Sequence, residues 1–128
     1  MPKTKTAKSA NPKTLEVAKL NILATFNNTI VSLSDTQGNV YFQESSGAAG
    51  FKGARKSTPY AATVTTDKLL NKARAIGVKE IEVYIKGPGV GRDASLRAIR
   101  ASGIKINLIA DVTPIPHNGV RPRKVRRV

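Results

Sequence analysis

The hydrophobic positions of this chain change period several times, and each change marks an element. From Val17 the pattern alternates loosely, with Ala18, Leu20, Ile22, Ala24 and Phe26 on one side, which predicts a strand ending at the turn-like pair Asn27-Asn28. "TIVSLSD" reads as a second strand and "VYFQES" as a third. The "DTQGN" between them carries the residues of a tight hairpin turn. After a glycine-punctuated loop, "SGAAGFKGARKS" at 46–57, the period becomes helical. Ala62, Thr65, Leu69, Ala73 and Ile76 recur along one face, with Pro59 at the first helical position, either Ser57 or Thr58 as the cap, and Gly77 as the stop. "IEVYIK" at 81–86 alternates cleanly as a strand. A second helix is predicted from about Arg92 to Ser102, with Leu96 and Ile99 inward and Gly103 ending it, and "IKINLIADV" forms a last strand.

The predicted order is strand, strand, strand, helix, strand, helix, strand. Each strand–helix–strand unit calls for a right-handed crossover and parallel pairing. The expected architecture is therefore a layered α/β domain with a mixed sheet of about five strands. Residues 15–113 hold this pattern. Residues 1–14, "MPKTKTAKSANPKT", contain four lysines and no large aliphatic after Met1, and read as a flexible basic arm. Residues 114–128 belong to a proline-containing, densely basic tail that lacks periodicity and needs a surface to lie on.

Charge sharpens this picture. The 128-residue chain carries 22 Lys and Arg against 8 Asp and Glu, a formal net charge of +14. A compact domain so positive repels itself, so a polyanionic partner is expected. No cysteine is present and His117 is the one histidine, which argues against disulfides, a zinc site and a Ser-His-Asp site. The carboxylates are scattered along the chain rather than clustered as a two-metal nuclease requires. No apolar stretch is long enough for a membrane span, and the basic N-terminus lacks the apolar segment of a secretory signal. Neither an enzyme nor a cofactor is expected.

The "KGPGVGR" loop at 86–92 imitates a nucleotide-binding turn. The dinucleotide fingerprint needs its third glycine at position 92, which is Arg, and no Gly-Lys-Ser or Gly-Lys-Thr occurs. Its physics still favours phosphate. A helix N-terminus offers unpaired N–H groups, and Arg92 offers a planar cationic fork. The alternative is a tight strand–helix turn with a surface arginine. Lys52, Arg55 and Lys56 precede the other helix in the same manner, either as a solvated surface or as a second phosphate grip on the same sheet edge. Arg121, Arg123, Lys124, Arg126 and Arg127 crowd the tail. Such a segment either orders on RNA by neutralising phosphates or serves as a solubilising end or localisation signal. His117 would stack on RNA or simply occupy a turn. Asn118-Gly119 is open to succinimide formation, since glycine does not hinder attack on the asparagine side chain.

"FNNTIVSLSD", "GFKGARKSTPYAA", "KGPGVGRDASLRAI" and "DVTPIPHNGVRPRKVRRV" together resemble the small-ribosomal-subunit (30S) protein eleven family in its bacterial form, from about Val17 to the end of the chain. The resemblance implies a single three-layer α/β/α, ribonuclease-H-like domain without nuclease activity. It implies a cytoplasmic place on the platform of the small ribosomal subunit, bridging helices of 16S-type rRNA. Proteins seven and eighteen of the subunit would be neighbours, with mRNA and possible contact with an initiation factor nearby, and no homo-oligomer. RNA-facing positions carried over are Asn27, Asn28, Lys52, Arg55, Lys56, Ser57, Arg92 and the segment from His117 through Asn118, Arg121, Arg123, Lys124 and Arg126 to Arg127. A free-standing nucleic-acid chaperone and a nucleotide-dependent enzyme are the competing readings.

Overall fold

The computed structural model of the chain describes residues 16–127, so the basic arm at 1–14 lies outside the described residues. Five strands form a single sheet: β1 (Val17–Ala24), β2 (Thr29–Ser34), β3 (Val40–Ser45), β4 (Glu80–Lys86) and β5 (Lys105–Asp111). Their spatial order is β3-β2-β1-β4-β5. β2 runs antiparallel to β1 and β3, whereas β1, β4 and β5 are mutually parallel. The helices are α1 (Pro59–Ala75) and α2 (Gly91–Ser102), and a short 3-10 turn (Gly53–Ser57) precedes α1.

The alternation seen in the sequence is the alternation of burial. Ala18, Leu20, Ile22 and Ala24 of β1 lie beside Val31 and Leu33 of β2 and Ile81, Val83 and Ile85 of β4, all buried on one face. Fully burying each large aliphatic contributes about 1.5–3 kcal/mol, so this face dominates the stability of the domain. α1 approaches it through small residues, Ala61, Ala62, Thr65 and Ala73, with Leu69 and Leu70 filling the depth. The buried hydroxyls of α1 are satisfied: Thr65 donates to the Ala61 carbonyl at 2.7 Å, and Thr66 donates to Ser95 Oγ at 3.1 Å, joining α1 to α2. Thr58 rather than Ser57 caps α1, its hydroxyl accepting from Ala61 N at 3.2 Å. Gly77, with φ 89, follows the last turn of α1.

The α/β class and the mixed five-stranded sheet agree with the sequence-based expectation. The layering differs from the one the resemblance implied. α1 and α2 pack against each other, and the buried side chains of β1 and β4 all lie on one face, so the described residues make two layers. The cause is topological. The β3-to-β4 and β4-to-β5 crossovers both advance in the same direction across the sheet, and right-handed crossovers then place both helices on the same side.

Phe26 also departs from expectation. β1 ends at Ala24, and the following turn carries Phe26 out to 72% exposure instead of continuing the core stripe. Thr25 bends the chain there: its hydroxyl accepts from Asn27 N at 3.2 Å and Asn28 N at 3.0 Å.

Candidate nucleic-acid interface

Because β3 is antiparallel to β2 and β2 to β1, β3 runs in the same sense as β1, β4 and β5. The C-terminal ends of these four strands share one sheet edge, where open α/β sheets bind ligands. The 25–28 turn, the 46–57 loop, the 87–90 loop and the root of the tail all leave from there. Backbone bonds tie them down: Ser46 N donates to Thr29 O at 3.0 Å, and Gly89 N to Ala24 O at 2.8 Å.

The first part of this edge brings Asn27, Lys56 and Ser57 together. They line one groove with Phe26, Gly53 and Ala54. Asn28 points its amide oxygen inward, accepting from Thr29 N at 2.8 Å, so its side chain shapes the turn, whereas Asn27 is exposed. Ser57 Oγ donates to the Ala54 carbonyl at 3.1 Å and closes the 3-10 turn. Lys52 and Arg55 are exposed, and Lys56 lays its methylene stem beside Gly47. Two ion pairs occur among the described residues, Lys72–Glu44 and Arg92–Asp111, and neither involves these three cations.

The second part is built differently from the expected phosphate grip. Cβ atoms at Gly87 and Gly89 would each stand 2.3 Å from a carbonyl oxygen, of Ala24 and Thr25 respectively. Those glycines thus serve close approach to the protein's own backbone. Arg92 turns inward too: Nη1 donates to Gly87 O at 3.0 Å and Nη2 to Asp111 Oδ2 at 2.7 Å. Its fork fastens the loop to the end of β5. The start of α2 carries no side-chain cap, and beneath it the Thr29 hydroxyl is buried without a partner, 2.4 Å from where a Cβ on Gly91 would lie. Lys86, exposed at the last position of β4, supplies a cation here that sequence reasoning passed over. Its place one residue beyond the buried Ile85 in a strict alternation is the signal that would have found it.

Thr113 and Arg92 converge on one carboxylate. Asp111 Oδ1 accepts from Thr113 Oγ1 at 2.6 Å and Thr113 N at 3.0 Å, while Gly87 N donates to Thr113 Oγ1 at 3.1 Å. The Thr113 hydroxyl first, then its backbone N–H and the Arg92 guanidinium, hold the Asp111 carboxyl well below the usual carboxylate range. A folded-state value below the unfolded one stabilises the fold above the unfolded pKa of about 3.9, and this contribution is lost as pH falls through the folded value. Acid unfolding of Asp111→Asn should therefore show a shallower loss of stability below pH about 4 than the parent chain. Superimposable acid limbs, followed by circular dichroism, would contradict the clamp.

From Val112 the chain carries no helix or strand through residue 127. His117, Arg121, Arg123, Lys124, Arg126 and Arg127 are all exposed. Asn118 adopts a left-handed φ of 62, and a shallow hollow runs along Pro116, Asn118, Gly119, Val120, Arg121 and Pro122. The tail is thus bent at Asn118 before its arginines begin. Among the described residues no group of His, Asp and Glu is placed to hold a metal ion, and no helix is long and apolar enough to cross a membrane.

A small α/β scaffold gathers exposed cations, glycine-rich loops and a basic tail at one sheet edge, an arrangement whose charge suits a polyanion. A family model described as Ribosomal protein S11 matches residues 18–127. Similar proteins include the Small ribosomal subunit protein uS11 of Borreliella burgdorferi (strain ZS7), 57% identical over 107 residues that cover 84% of this chain and 82% of the relative. The protein of the same name from Aquifex aeolicus (strain VF5) is 52% identical over 124 residues, 95% of this chain and 99% of the relative. The chain belongs to the Ribosomal protein S11 family, and it is a structural ribosomal protein, not an enzyme.

Proposed function

We propose that this protein is a structural constituent of the small subunit of the cytoplasmic ribosome that binds 16S-type rRNA on the subunit platform and holds separate rRNA helices in register. The domain at residues 15–113 is the rigid support, and the tail at 114–128 lies between RNA helices. Lys52, Arg55 and Lys56 face phosphates from the 46–57 loop, with Asn27, Asn28 and Ser57 beside them. His117, Asn118 and the arginines at 121, 123, 126 and 127, with Lys124, follow the RNA outward. Arg92 acts at one remove, by fixing the 87–90 loop and the root of the tail. Proteins seven and eighteen of the subunit are the proposed neighbours, and the channel where mRNA pairs with the rRNA lies alongside.

One observation carries this reading: segments distant in sequence bring cations that join no ion pair among the described residues to a single sheet edge, while both glycine loops are pinned to the strand ends beneath them. Most of the affinity then comes from phosphate neutralisation and falls steeply with salt, while shape and unpaired bases supply selectivity. Chemical footprinting of 16S-type rRNA with and without the protein tests it. A compact, reproducible set of protected nucleotides is expected. Uniform weak protection, with equal binding to duplex DNA, would instead identify a free-standing nucleic-acid chaperone.

A further inference from the structure

Phe26 is the most exposed phenylalanine among the described residues, held away from the core. The residue is 72% exposed, although burying an aromatic side chain is favourable. The exposure is built in. Thr25 accepts from both asparagine N–H groups and donates to Asn28 O at 3.1 Å, which fixes the turn with Phe26 at its tip. The rings of Phe42, Phe51, Tyr60 and Tyr84 have company. Phe51 meets Tyr60 edge-on at 5.8 Å, Lys72 lies over Phe42 at 5.9 Å, and Lys19 over Tyr84 at 5.6 Å. No such pairing involves the Phe26 ring among the described residues.

The ring forms one wall of the open groove whose other walls are Asn27, Gly53, Ala54, Lys56 and Ser57, with a volume of about 590 Å³. That is within the span of roughly 300–1,000 Å³ typical of sites for small organic groups. An exposed aromatic face, an amide able both to donate and to accept, and an ammonium make up the chemistry that recognises an unpaired nucleotide: stacking, base-edge hydrogen bonds and phosphate neutralisation. No acidic residue occurs in the 25–28 turn or the 46–57 loop to oppose a phosphate.

We infer that Phe26 is a stacking platform for an unpaired nucleobase, with Asn27 at the base edge and Lys56 at the adjoining phosphate. The inference rests on the rRNA-binding reading and deepens it, since it names a contact that depends on a base out of its helix rather than on charge.

The test titrates purified 16S-type rRNA with the full chain at several salt concentrations. Phe26→Ala should weaken binding about tenfold or more while leaving the slope of log affinity against log salt unchanged. Phe26→Tyr should retain the affinity of the parent, and Phe26→Leu, apolar but without a π-face, should lose as much as Phe26→Ala. Lys56→Gln should instead reduce the slope by about 0.7. Because the ring is exposed, the thermal midpoint of each Phe26 variant should match the parent, which separates lost contact from lost fold. Undiminished binding by Phe26→Ala, or full affinity in Phe26→Leu, overturns the stacking role and leaves the rRNA reading standing. If the parent chain shows no preference for this rRNA over duplex DNA, the rRNA reading itself falls.

Discussion

Gly87→Ala is expected to destabilise the fold by about 3 kcal/mol and to lower Tm by about 10 °C. Two independent penalties meet at this position. Its φ of +100 belongs to a region that side chains rarely occupy, and an added Cβ would lie 2.3 Å from the Ala24 carbonyl oxygen. That oxygen cannot retreat freely, because it already accepts the Gly89 N–H at 2.8 Å. Gly87 also donates to Thr113 and accepts from Arg92, so any shift of its backbone loosens the root of the tail. Gly103→Ala is the control. It has a comparable φ of +83 but nothing within 4 Å of its added Cβ, so it bears the dihedral cost alone, about 1 kcal/mol. Equal losses for the two variants in denaturant unfolding would show that dihedral strain, and not the collision with β1, sets the need for glycine at 87.

Neutralising the tail is the second large effect. Arg121, Arg123, Lys124, Arg126 and Arg127 changed together to glutamine should lower rRNA affinity by roughly a hundredfold at moderate salt, and flatten the salt dependence by about 4 units of slope if each cation meets a phosphate. The stability of the isolated fold should barely move, because these side chains are exposed and neither ion pair among the described residues involves them. Affinity and slope are read from the same salt titration, and stability from thermal unfolding. A large drop in Tm, or an unchanged slope, would contradict a tail that acts through phosphate contacts alone. Charge reversal at Arg55 and Lys56 should act in the same sense but less strongly, since it touches fewer cations.

Element types were largely legible because burial follows local period. Ala18, Leu20 and Ile22 alternate and are buried, and Ala62, Thr65, Leu69 and Ala73 recur helically and are buried. What the pattern could not show was where an alternating stripe stops. Phe26 continues the period of β1, yet one threonine hydroxyl redirects the chain before it. Layering was hidden for a similar reason: periodicity marks which face of a helix is apolar, not which side of the sheet it covers. At the site, the sequence revealed which cations crowd the loops. It did not reveal that Arg92 has an internal carboxylate partner, because Asp111 lies 19 positions away and meets it through the β4–β5 pairing. The glycines of "GPGVG" were legible as an imitation of a nucleotide-binding turn. That they admit the protein's own backbone instead needed the position of Ala24 and Thr25.

The knot formed by Gly87, Arg92, Asp111 and Thr113 has a geometric corollary. It fixes the origin of a tether. From Pro114 to Arg127 the chain, drawn out at about 3.3 Å per residue, spans up to roughly 46 Å, against a radius of gyration of about 13 Å for a globule of this size. A body this small can thus fasten pieces of a far larger particle that its own surface could never touch at once, and moving that origin by a few ångströms would redraw the whole territory the tether can search.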